Sequence, residues 1–577
     1  MANKNLFKST SGGIVPDADT FNEAGGKAYK LNDKAALAQL VVTGTFNDTF
    51  YADAKTQLDT VLKLTENVPA KFIAQTAVYA RQNAYMKDSP AVLCAVLAVR
   101  DIELLKTIFN DVIDNGKMIK NFVQIVRSGV TGRKSMGTAV KKLVQKWIVG
   151  RSDYQLFRDS VGNAPSLADV IKMVHPTPKN KKQETMFGYI CGNVEVKIDT
   201  RTGEVASVIR NYRGKVQKIQ INNVPDIIIE YETYKQLRLA GKDAGTAPNV
   251  PFQMLSSLNM GKEEWTEMAK NGQWMFTRMN LNNFQKYGVF DNSEMVNKIA
   301  NRLADPEEVK KARAFPYQLL TAYKNVSDIP PKVQNALQDA LEAAVDNVPS
   351  IDGKKIYVCV DTSGSMGMSV TGGCWGGYST RRPGSMTTCV DVAGLIAAAI
   401  LRKNEDAEII PFDTNVRQIR LNSRDSVMTN AQKLACHGGG TNCSCAIKYL
   451  NDINAKGDLI IMVSDNESWC DRWGSRGTGT ANEFAKFKRR NPGAKMINID
   501  IAPYGTTQVK ESKHAFNIGG FSDNVFNVIE AYATGKLEKG YFVSEIEKID
   551  VGKVTPPKKR RITGADLKLA LKNRRNK

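Results

Sequence analysis

Four runs of apolar residues after residue 350 restrict the fold more than any other feature. We predict strands over 355–360, 408–412, 458–463 and 495–501, with helices over 390–402, 444–454 and 482–489 between them. Continuous apolar strands that alternate with helices are typical of a parallel, doubly wound sheet with both faces covered. Ligands of such sheets bind beyond the carboxyl ends of the strands.

The first part of the chain has a different pattern. From about residue 33 to 178, apolar residues recur at helical spacing, which predicts consecutive helices over 70–84, 91–99, 102–113 and 118–126. Helices of this length with short connections favour an all-α repeat that stacks into a solenoid or ring. Alternating residues over 193–222 predict a small β-rich insertion, and helices resume from 227 to 348. We therefore predict three regions: a helical-repeat module over 1–350, an α/β domain over 351–540 and a basic tail over 541–577.

Positive charge is concentrated in two stretches. The net charge is +21, of which residues 117–182 carry +11 and residues 551–577 carry +9. A local basic field favours a polyanion, because each neutralised phosphate releases counterions. A solvated face and a loose tail are the alternative explanation.

One helix, predicted over 136–147, shows how the first basic stretch could be used. At ~100° per residue its apolar side chains share a narrow arc; they are Met136, Val140, Leu143 and Trp147. The cations of the opposite side are Lys134, Lys141 and Lys142, and Lys146 lies nearer the border. No acidic residue occurs from 115 to 152, so one face would pack while the other displays ammonium groups.

A cluster of hard oxygen ligands follows the predicted strands of the α/β domain. Asp361, Ser363 and Ser365 come directly after the first strand, Thr441 follows a Gly-rich loop, and Asp465 follows a later strand. Carboxylates and hydroxyls on loops at one end of a sheet suit Mg²⁺ or Ca²⁺, and we expect Mg²⁺. The pattern resembles the metal-ion-dependent adhesion site of von Willebrand A domains. A set of turn-capping residues is the simpler alternative.

Other motifs point away from catalysis, zinc and membranes. The chain has only three histidines and no general base beside a nucleophile, and its glycine run at 438–440 lacks the lysine of a phosphate-binding loop. Cys436, His437, Cys443 and Cys445 are poorly spaced for tetrahedral zinc. An odd number of cysteines, no signal peptide and no apolar run of ~18 residues favour a cytoplasmic protein.

The combination of regions resembles the Ro ribonucleoprotein family, whose helical part is the TROVE module. The segments that carry this resemblance are 137–142 with Trp147, 174–178 and 310–317, together with the adhesion-site residues. The resemblance implies a monomeric ring of HEAT-like helices closed by the α/β domain. It also implies small noncoding Y RNAs on a basic outer surface, single-stranded 3′ ends of misfolded RNAs threaded through the ring, and an exoribonuclease partner in bacteria.

Two further residues, Arg133 and His175, are considered only because of this resemblance. Arg133 enters through a departure from the family pattern, and His175 enters through the geometry that the resemblance implies. Thr138 stands where the family often has arginine, and Arg133, just upstream, could supply that charge together with Lys134. His175 would lie near the same face, where its ring could stack on a base or donate to a phosphate. The alternative is that His175 only ends its helix before Pro176.

Three classes of function remain at this point. A non-enzymatic RNA-binding scaffold in RNA quality control or processing explains the most features. A protein-interaction module that grips an acidic partner through the metal site is the main alternative. A metal-dependent nuclease fits least, because the ligand set lacks the clustered carboxylates of a two-metal site.

Overall fold

A computed structural model describes residues 15–42, 54–162, 165–212, 214–258, 260–312, 314, 316–345, 348, 350–351, 353–370, 386–470, 477–520, 524–535 and 540–552. The predicted basic tail beyond residue 552 lies outside this part of the chain. None of the described helices is both long and apolar enough to cross a bilayer. Contacts divide the described residues into two compact units: those within 1–68, 196–207 and 226–544 form the first, and those within 69–195, 208–225 and 545–577 form the second.

The start of the described chain belongs to the first unit. Its elements are β1 (Thr20–Phe21), β2 (Lys27–Lys30), α1 (Asp33–Val42) and α2 (Ala54–Asn67). β2 pairs antiparallel with a strand near the other end of the sequence, with Tyr29 opposite Thr507. This pairing joins residues that are far apart in sequence, so the periodicity of the first segment gave no sign of it.

Eight helices of the second unit confirm the predicted helical pattern. They are α3 (Ala70–Gln82), α4 (Asp88–Arg100), α5 (Ile102–Val112), α6 (Gly116–Ser128), α7 (Gly137–Val149), α8 (Asp153–Asp159), α9 (Leu167–Val174) and α10 (Lys181–Ile190). Side-chain caps set several starts: Asn115 accepts the Met118 N–H, and Ser152 and Ser166 each form a capping box. Phe109 and Phe122 meet edge to face in the buried core, with centroids 5.2 Å apart.

The predicted β-rich insertion is a three-stranded sheet with the order β3-β4-β5. Its strands are β3 (Val194–Ile198), β4 (Val205–Tyr212) and β5 (Lys215–Lys218). The sheet ends within the predicted range of 193–222, and residues 221–223 form a 3₁₀ turn after it. Gly203 has φ +76° between β3 and β4, a conformation that favours glycine.

Helices then resume in the first unit. They are α11 (Asp226–Leu239), α12 (Phe252–Leu255), α13 (Lys262–Asn271), α14 (Trp274–Met279), α15 (Leu281–Lys286), α16 (Ser293–Ala304), α17 (Pro306–Ala312), α18 (Pro316–Asn325) and α19 (Pro331–Val345). Two of them bond to the α/β elements that follow. Lys324 forms a 2.6 Å ion pair with buried Asp391, and the Val427 N–H donates to Glu342.

The α/β elements confirm the predicted doubly wound class. They are β6 (Ile356–Asp361), α20 (Cys389–Lys403), β7 (Glu408–Phe412), α21 (Val427–Leu434), α22 (Cys443–Asp452), β8 (Leu459–Ser464), α23 (Gly479–Arg490), β9 (Lys495–Asp500), β10 (Thr506–Thr507), β11 (Ala515–Gly519), α24 (Asn524–Ala533) and α25 (Tyr541–Glu547). The main sheet has the order β11-β9-β8-β6-β7, and all its pairs are parallel. β6 and β8 are buried along their whole length, which explains their continuous apolar sequence.

Five of these elements escaped prediction: α21, β10, β11, α24 and α25. β11 carries a polar residue in a buried strand, because the Asn517 side chain accepts hydrogen bonds from Asn498 on β9 and from Thr507 on β10. A buried amide is acceptable there since its partners come from neighbouring strands. Those partners cannot be read from the local pattern.

Candidate functional site

The candidate metal site starts from two neighbouring strands that end side by side. β6 ends at Asp361 and β8 ends at Ser464, with Val360 opposite Val463 in the parallel register. Because parallel strands present their carboxyl ends at one edge of the sheet, Asp361 and the following Asp465 lie at the same edge. Both side chains are buried.

Backbone hydrogen bonds bring the other predicted loop to this edge. The Gly364 N–H donates to the Gly439 carbonyl at 3.0 Å, and the Gly438 N–H donates to the Thr362 carbonyl at 2.9 Å. These bonds join the loop after β6 to the Gly-rich loop that carries Thr441. Thr441 is buried, and its carbonyl accepts from the N–H groups of Trp469 and Cys470, which follow β8.

The hydroxyls and carboxyls of the site are held by short contacts. Asp361 accepts the Ser363 N–H at 2.8 Å and the Ser464 hydroxyl at 2.5 Å. The Ser363 and Ser365 hydroxyl oxygens are 3.2 Å apart. All five predicted ligands are buried at this end of the sheet; they are Asp361, Ser363, Ser365, Thr441 and Asp465.

Burial raises the free-energy cost of ionising the two carboxyl groups of this site. The pKa of Asp361 is raised to about 7, first by burial and then by the nearby charge of Asp465. Burial also raises the pKa of Asp465. No described lysine or arginine forms an ion pair with either group, so a cation would relieve their repulsion. Two carboxylates with neighbouring hydroxyls are hard oxygen donors, and this donor set fits Mg²⁺.

A second group of buried polar residues lies beside the predicted ligands and was missed by the sequence reasoning. Glu467 is fully buried, and its pKa is raised to about 9 by burial and then by Asp465. Its carboxyl accepts the Ala24 N–H at 2.9 Å, and the Asn22 amide donates to the Ser468 carbonyl at 2.9 Å. The polar run after β8 was visible in the sequence, but its partners lie more than 400 residues away.

Two aromatic rings lie at the rim of the metal site. Trp469 is 40% exposed, and a Cβ added to Gly440 would fall 2.8 Å from its indole ring. The exposed His437 ring covers Gly367 in the same way, at 2.4 Å from an added Cβ. Glycine at these two positions therefore leaves room for both rings.

The cysteine side chains of this region do not converge on a shared site, and they contribute more to packing in the core. Cys443 is fully buried with its Sγ 3.6 Å from the Ser464 hydroxyl, whereas Cys436 is exposed. Cys445 is partly buried, and its Sγ lies 4.0 Å from the Asp413 carbonyl. The side chains thus point to different surroundings.

The predicted basic helix is α7 in the second unit, and its packing face is rotated from the predicted one. The fully packed residues are Val140, Val144, Trp147 and Ile148, while Met136 and Leu143 are half-buried. The Trp147 indole donates to the Ile113 carbonyl at 2.5 Å, which anchors this face to the end of α5. Tertiary packing therefore selects the side of α7 that faces the core.

This rotation changes the roles of the lysines. Lys134, Lys142 and Lys146 are exposed, whereas Lys141 lies half-buried at the border of the packed face. Lys141 and Lys146 thus exchange the positions that the predicted arc assigned to them. Among the described residues, none of these four lysines forms an ion pair.

Arg133 is held by backbone carbonyls. Its guanidinium donates to the Ala98 carbonyl at 2.7 Å and to the Ser135 carbonyl at 2.8 Å. These bonds tie the loop before α7 to the end of α4. Arg133 therefore has a structural role in this loop, and the neighbouring exposed cation is Lys134.

His175 lies beside α7. It ends α9 in the left-handed conformation, with φ 51°, and its side chain is exposed. The Gln145 amide of α7 donates to the Val174 carbonyl at 2.6 Å and to the His175 carbonyl at 3.3 Å. Exposed Lys172 on α9 is a further cation that the sequence reasoning did not single out.

Comparison with known proteins identifies the family. Residues 32–351 match the TROVE domain, and residues 355–533 match the Ro60 vWA domain. The RNA-binding protein RO60 of Caenorhabditis elegans is 23% identical over 276 residues, which are 45% of this chain and only 40% of the worm protein.

A solved structure agrees in fold. The crystal structure of the Deinococcus radiodurans RO (RSR) protein has a TM-score of 0.60 and 19% sequence identity, and the match covers 88% of this chain and 100% of that chain. At this identity the likeness concerns the fold alone. The matches to both domains, which together span most of the sequence, show that the chain belongs to the Ro ribonucleoprotein family, a family of RNA-binding proteins.

Proposed function

We propose that this protein is a non-catalytic RNA-binding scaffold of RNA quality control or processing. Its ligands would be small noncoding, Y-like RNAs and the single-stranded 3′ ends of misfolded RNAs, and its protein partner would be an exoribonuclease. We place its work in the cytoplasm. The observation that carries the proposal is the exposed face of α7, where Lys142 and Lys146 have no acidic partner among the described residues.

The basic face would act by electrostatics. Ammonium groups contact phosphates as point charges, so this face would hold the RNA backbone with little regard to base sequence. His175, exposed next to the end of α7, would add a ring that stacks on an unpaired base or donates to a phosphate. The packed side, anchored by Trp147, keeps the lysines on the solvent side.

The metal site would have a separate task. A bound Mg²⁺ would supply a Lewis-acidic centre with a position open to an oxygen ligand. Asp361 and Asp465 would balance its charge, and Ser363, Ser365 and Thr441 would complete the oxygen shell. Ser464 would orient Asp361 through its hydrogen bond.

A salt series tests the RNA assignment. Lys142→Ala with Lys146→Ala should weaken binding of a structured RNA with a single-stranded 3′ end. It should also lower the magnitude of the log-affinity versus log-salt slope by roughly 0.7 to 0.9 per lost contact. The matched control is Lys106→Ala with Lys448→Ala, which removes the same charge from lysines paired with Glu103 and Asp452. Equal affinities and slopes in the two double variants would contradict the proposal.

A second candidate function is capture of an acidic protein segment at the metal site. The exposed Trp469, fixed beside Thr441 by its backbone hydrogen bond, is the observation that favours it, since aromatic side chains often anchor interfaces. An acidic peptide should then bind in Mg²⁺ and dissociate in EDTA. Fluorescence titration of the wild type and of Trp469→Ala would decide, because the scaffold reading alone predicts no such binding.

A further inference from the structure

A further, smaller concentration of positive charge lies in the α/β part of the first unit. Between Glu483 and Asp500 the sequence has five lysines and arginines and no acidic residue. Three of these cations are consecutive at the end of α23; they are Lys488, Arg489 and Arg490. Further along the chain, Lys513 and His514 directly precede β11.

The sheet brings these segments together. β9 and β11 are parallel neighbours with Met496 opposite Ala515, so Lys495 and His514 enter the sheet side by side. The Met496 N–H donates to the His514 carbonyl at 2.8 Å. This is the amino end of the strands, and it is therefore the opposite edge of the sheet from Asp361.

The end of α23 lies close to these strand starts, because its buried Phe487 packs in the same apolar cluster as Met496 of β9 and Ala515 of β11. The pKa of His514 is lowered by partial burial and then by the charges of Lys488 and Lys513. The pKa of Lys488 is lowered by burial and then by Lys513. The cations repel one another, so the free energy of this surface would improve if an anion bound there.

Several nearby cations are already satisfied by the protein. Lys486 pairs with Glu483 at 2.6 Å, Arg490 donates to the Asn451 side chain, and Lys495 donates to the Tyr532 carbonyl. The remaining three form no ion pair with any described residue; they are Lys488, Arg489 and Lys513. Arg489 and Lys513 are exposed, and Lys488 is half-buried.

We propose that Lys488, Arg489 and Lys513 form a second phosphate-contacting surface that binds single-stranded RNA independently of α7. The proposal rests on the RNA-binding function proposed above but uses other residues. A polyphosphate needs only accessible cations, whereas a protein partner needs apolar anchors. Among the described residues, no large apolar side chain of 484–499 or 510–515 is exposed. The lack of such an anchor favours RNA over a protein partner.

The test compares two double variants of the full chain. Arg489→Ala with Lys513→Ala removes two unpaired cations, and Lys486→Ala with Lys510→Ala removes two neighbours that pair with Glu483 and Asp19. Binding of a fluorescent oligouridine is measured by anisotropy over a salt series. The first variant should lower the slope magnitude by about 1.4 and the affinity about 25-fold at 0.1 M salt, while the control keeps both.

The remaining outcomes separate this inference from the proposed function. If Lys142→Ala with Lys146→Ala weakens oligouridine binding while Arg489→Ala with Lys513→Ala has no effect, the second surface is wrong and the α7 assignment stands. The reverse result supports the second surface and shows that α7 does not bind single-stranded RNA, while the salt series with structured RNA still decides the α7 assignment. If the Arg489 and Lys513 variant loses binding of polyglutamate but keeps RNA binding, the surface serves an acidic protein and the RNA inference is overturned.

Discussion

The Ser464 hydroxyl donates a 2.5 Å hydrogen bond to Oδ2 of Asp361, which joins the ends of β8 and β6. The other carboxylate oxygen, Oδ1, accepts the Ser363 N–H, so both oxygens of Asp361 are oriented by neighbours. The group is buried next to Asp465 with its pKa raised to about 7. A buried carboxylate whose two oxygens are already oriented is suited to bind a cation, because the positive charge of the cation offsets the cost of ionising the carboxyl group.

We expect Asp361→Ala to abolish Mg²⁺ binding measured by calorimetry, because it removes one of two carboxylates from the shell. Ser464→Ala should reduce the affinity by roughly 10- to 100-fold, since it removes only the orienting hydrogen bond. Asp452→Asn, which changes an exposed carboxylate paired with Lys448, is the control and should leave the affinity unchanged. Wild-type affinity in Asp361→Ala would show that the ion binds elsewhere.

The affinity for Mg²⁺ should also depend on pH. Metal binding needs ionised Asp361, whose pKa in the metal-free protein is about 7. Below that value the protonated form dominates, so the affinity should fall by up to about tenfold per pH unit between pH 7 and pH 5. Calorimetry in buffers of different ionisation enthalpy would count the released protons. A flat affinity from pH 5 to pH 8 would contradict this mechanism.

The rotation of α7 predicts unequal effects of two adjacent lysines on RNA binding. Lys142 is exposed, whereas Lys141 is half-buried at the edge of the packed face. Lys142→Ala should lower the magnitude of the salt slope by roughly 0.7 to 0.9, and Lys141→Ala should lower it less. Each single variant is measured by anisotropy with the same RNA. A larger effect of Lys141→Ala would mean that the lysines engage RNA in another orientation.

Asp111 in α5 should destabilise the protein at neutral pH. Its side chain is buried, and burial raises its pKa from 3.8 to about 6. Between these two pH values the folded state keeps a proton that the unfolded state has lost. The free energy of unfolding therefore falls as the pH rises from about 4 to about 6, and it stays at the lower value above pH 6. Asp111→Asn should increase the free energy of unfolding by about 1 to 2 kcal/mol at pH 8 and change little at pH 4. Denaturant melts at both pH values check this.

The purified protein should leave RNA intact for hours with or without Mg²⁺. Two carboxylates on one cation supply too few ligands for the paired metal ions that many nucleases use. The measurement is incubation of end-labelled RNA followed by denaturing electrophoresis, with Asp361→Ala as the comparison. Cleavage that persists through further purification and disappears in Asp361→Ala would identify an enzyme.

Much of the fold followed from local patterns. The helices α3 to α7 and the strands β6 to β9 begin and end within a few residues of the predicted bounds. Periodicity works there because each element buries one face or its whole length. β11 was not predicted from its periodicity, because Asn517 is polar and yet buried, with its hydrogen-bond partners on β9 and β10. The contacts of Asn22 and Ala24 with the segment around Glu467 were not predicted either, because no local pattern indicates a partner so distant in sequence.

The sequence alone determined which side chains could serve the two sites, since the spacing of Asp361, Ser363 and Ser365 after an apolar strand already implies a strand-end loop. It also determined that α7 has one cationic side and one apolar side. Tertiary structure decided which of its lysines reach solvent and that Arg133 is bound to the Ala98 carbonyl. Helical periodicity defines an arc only to within about one residue, and the packing of Trp147 against Ile113 selects the rotation within it.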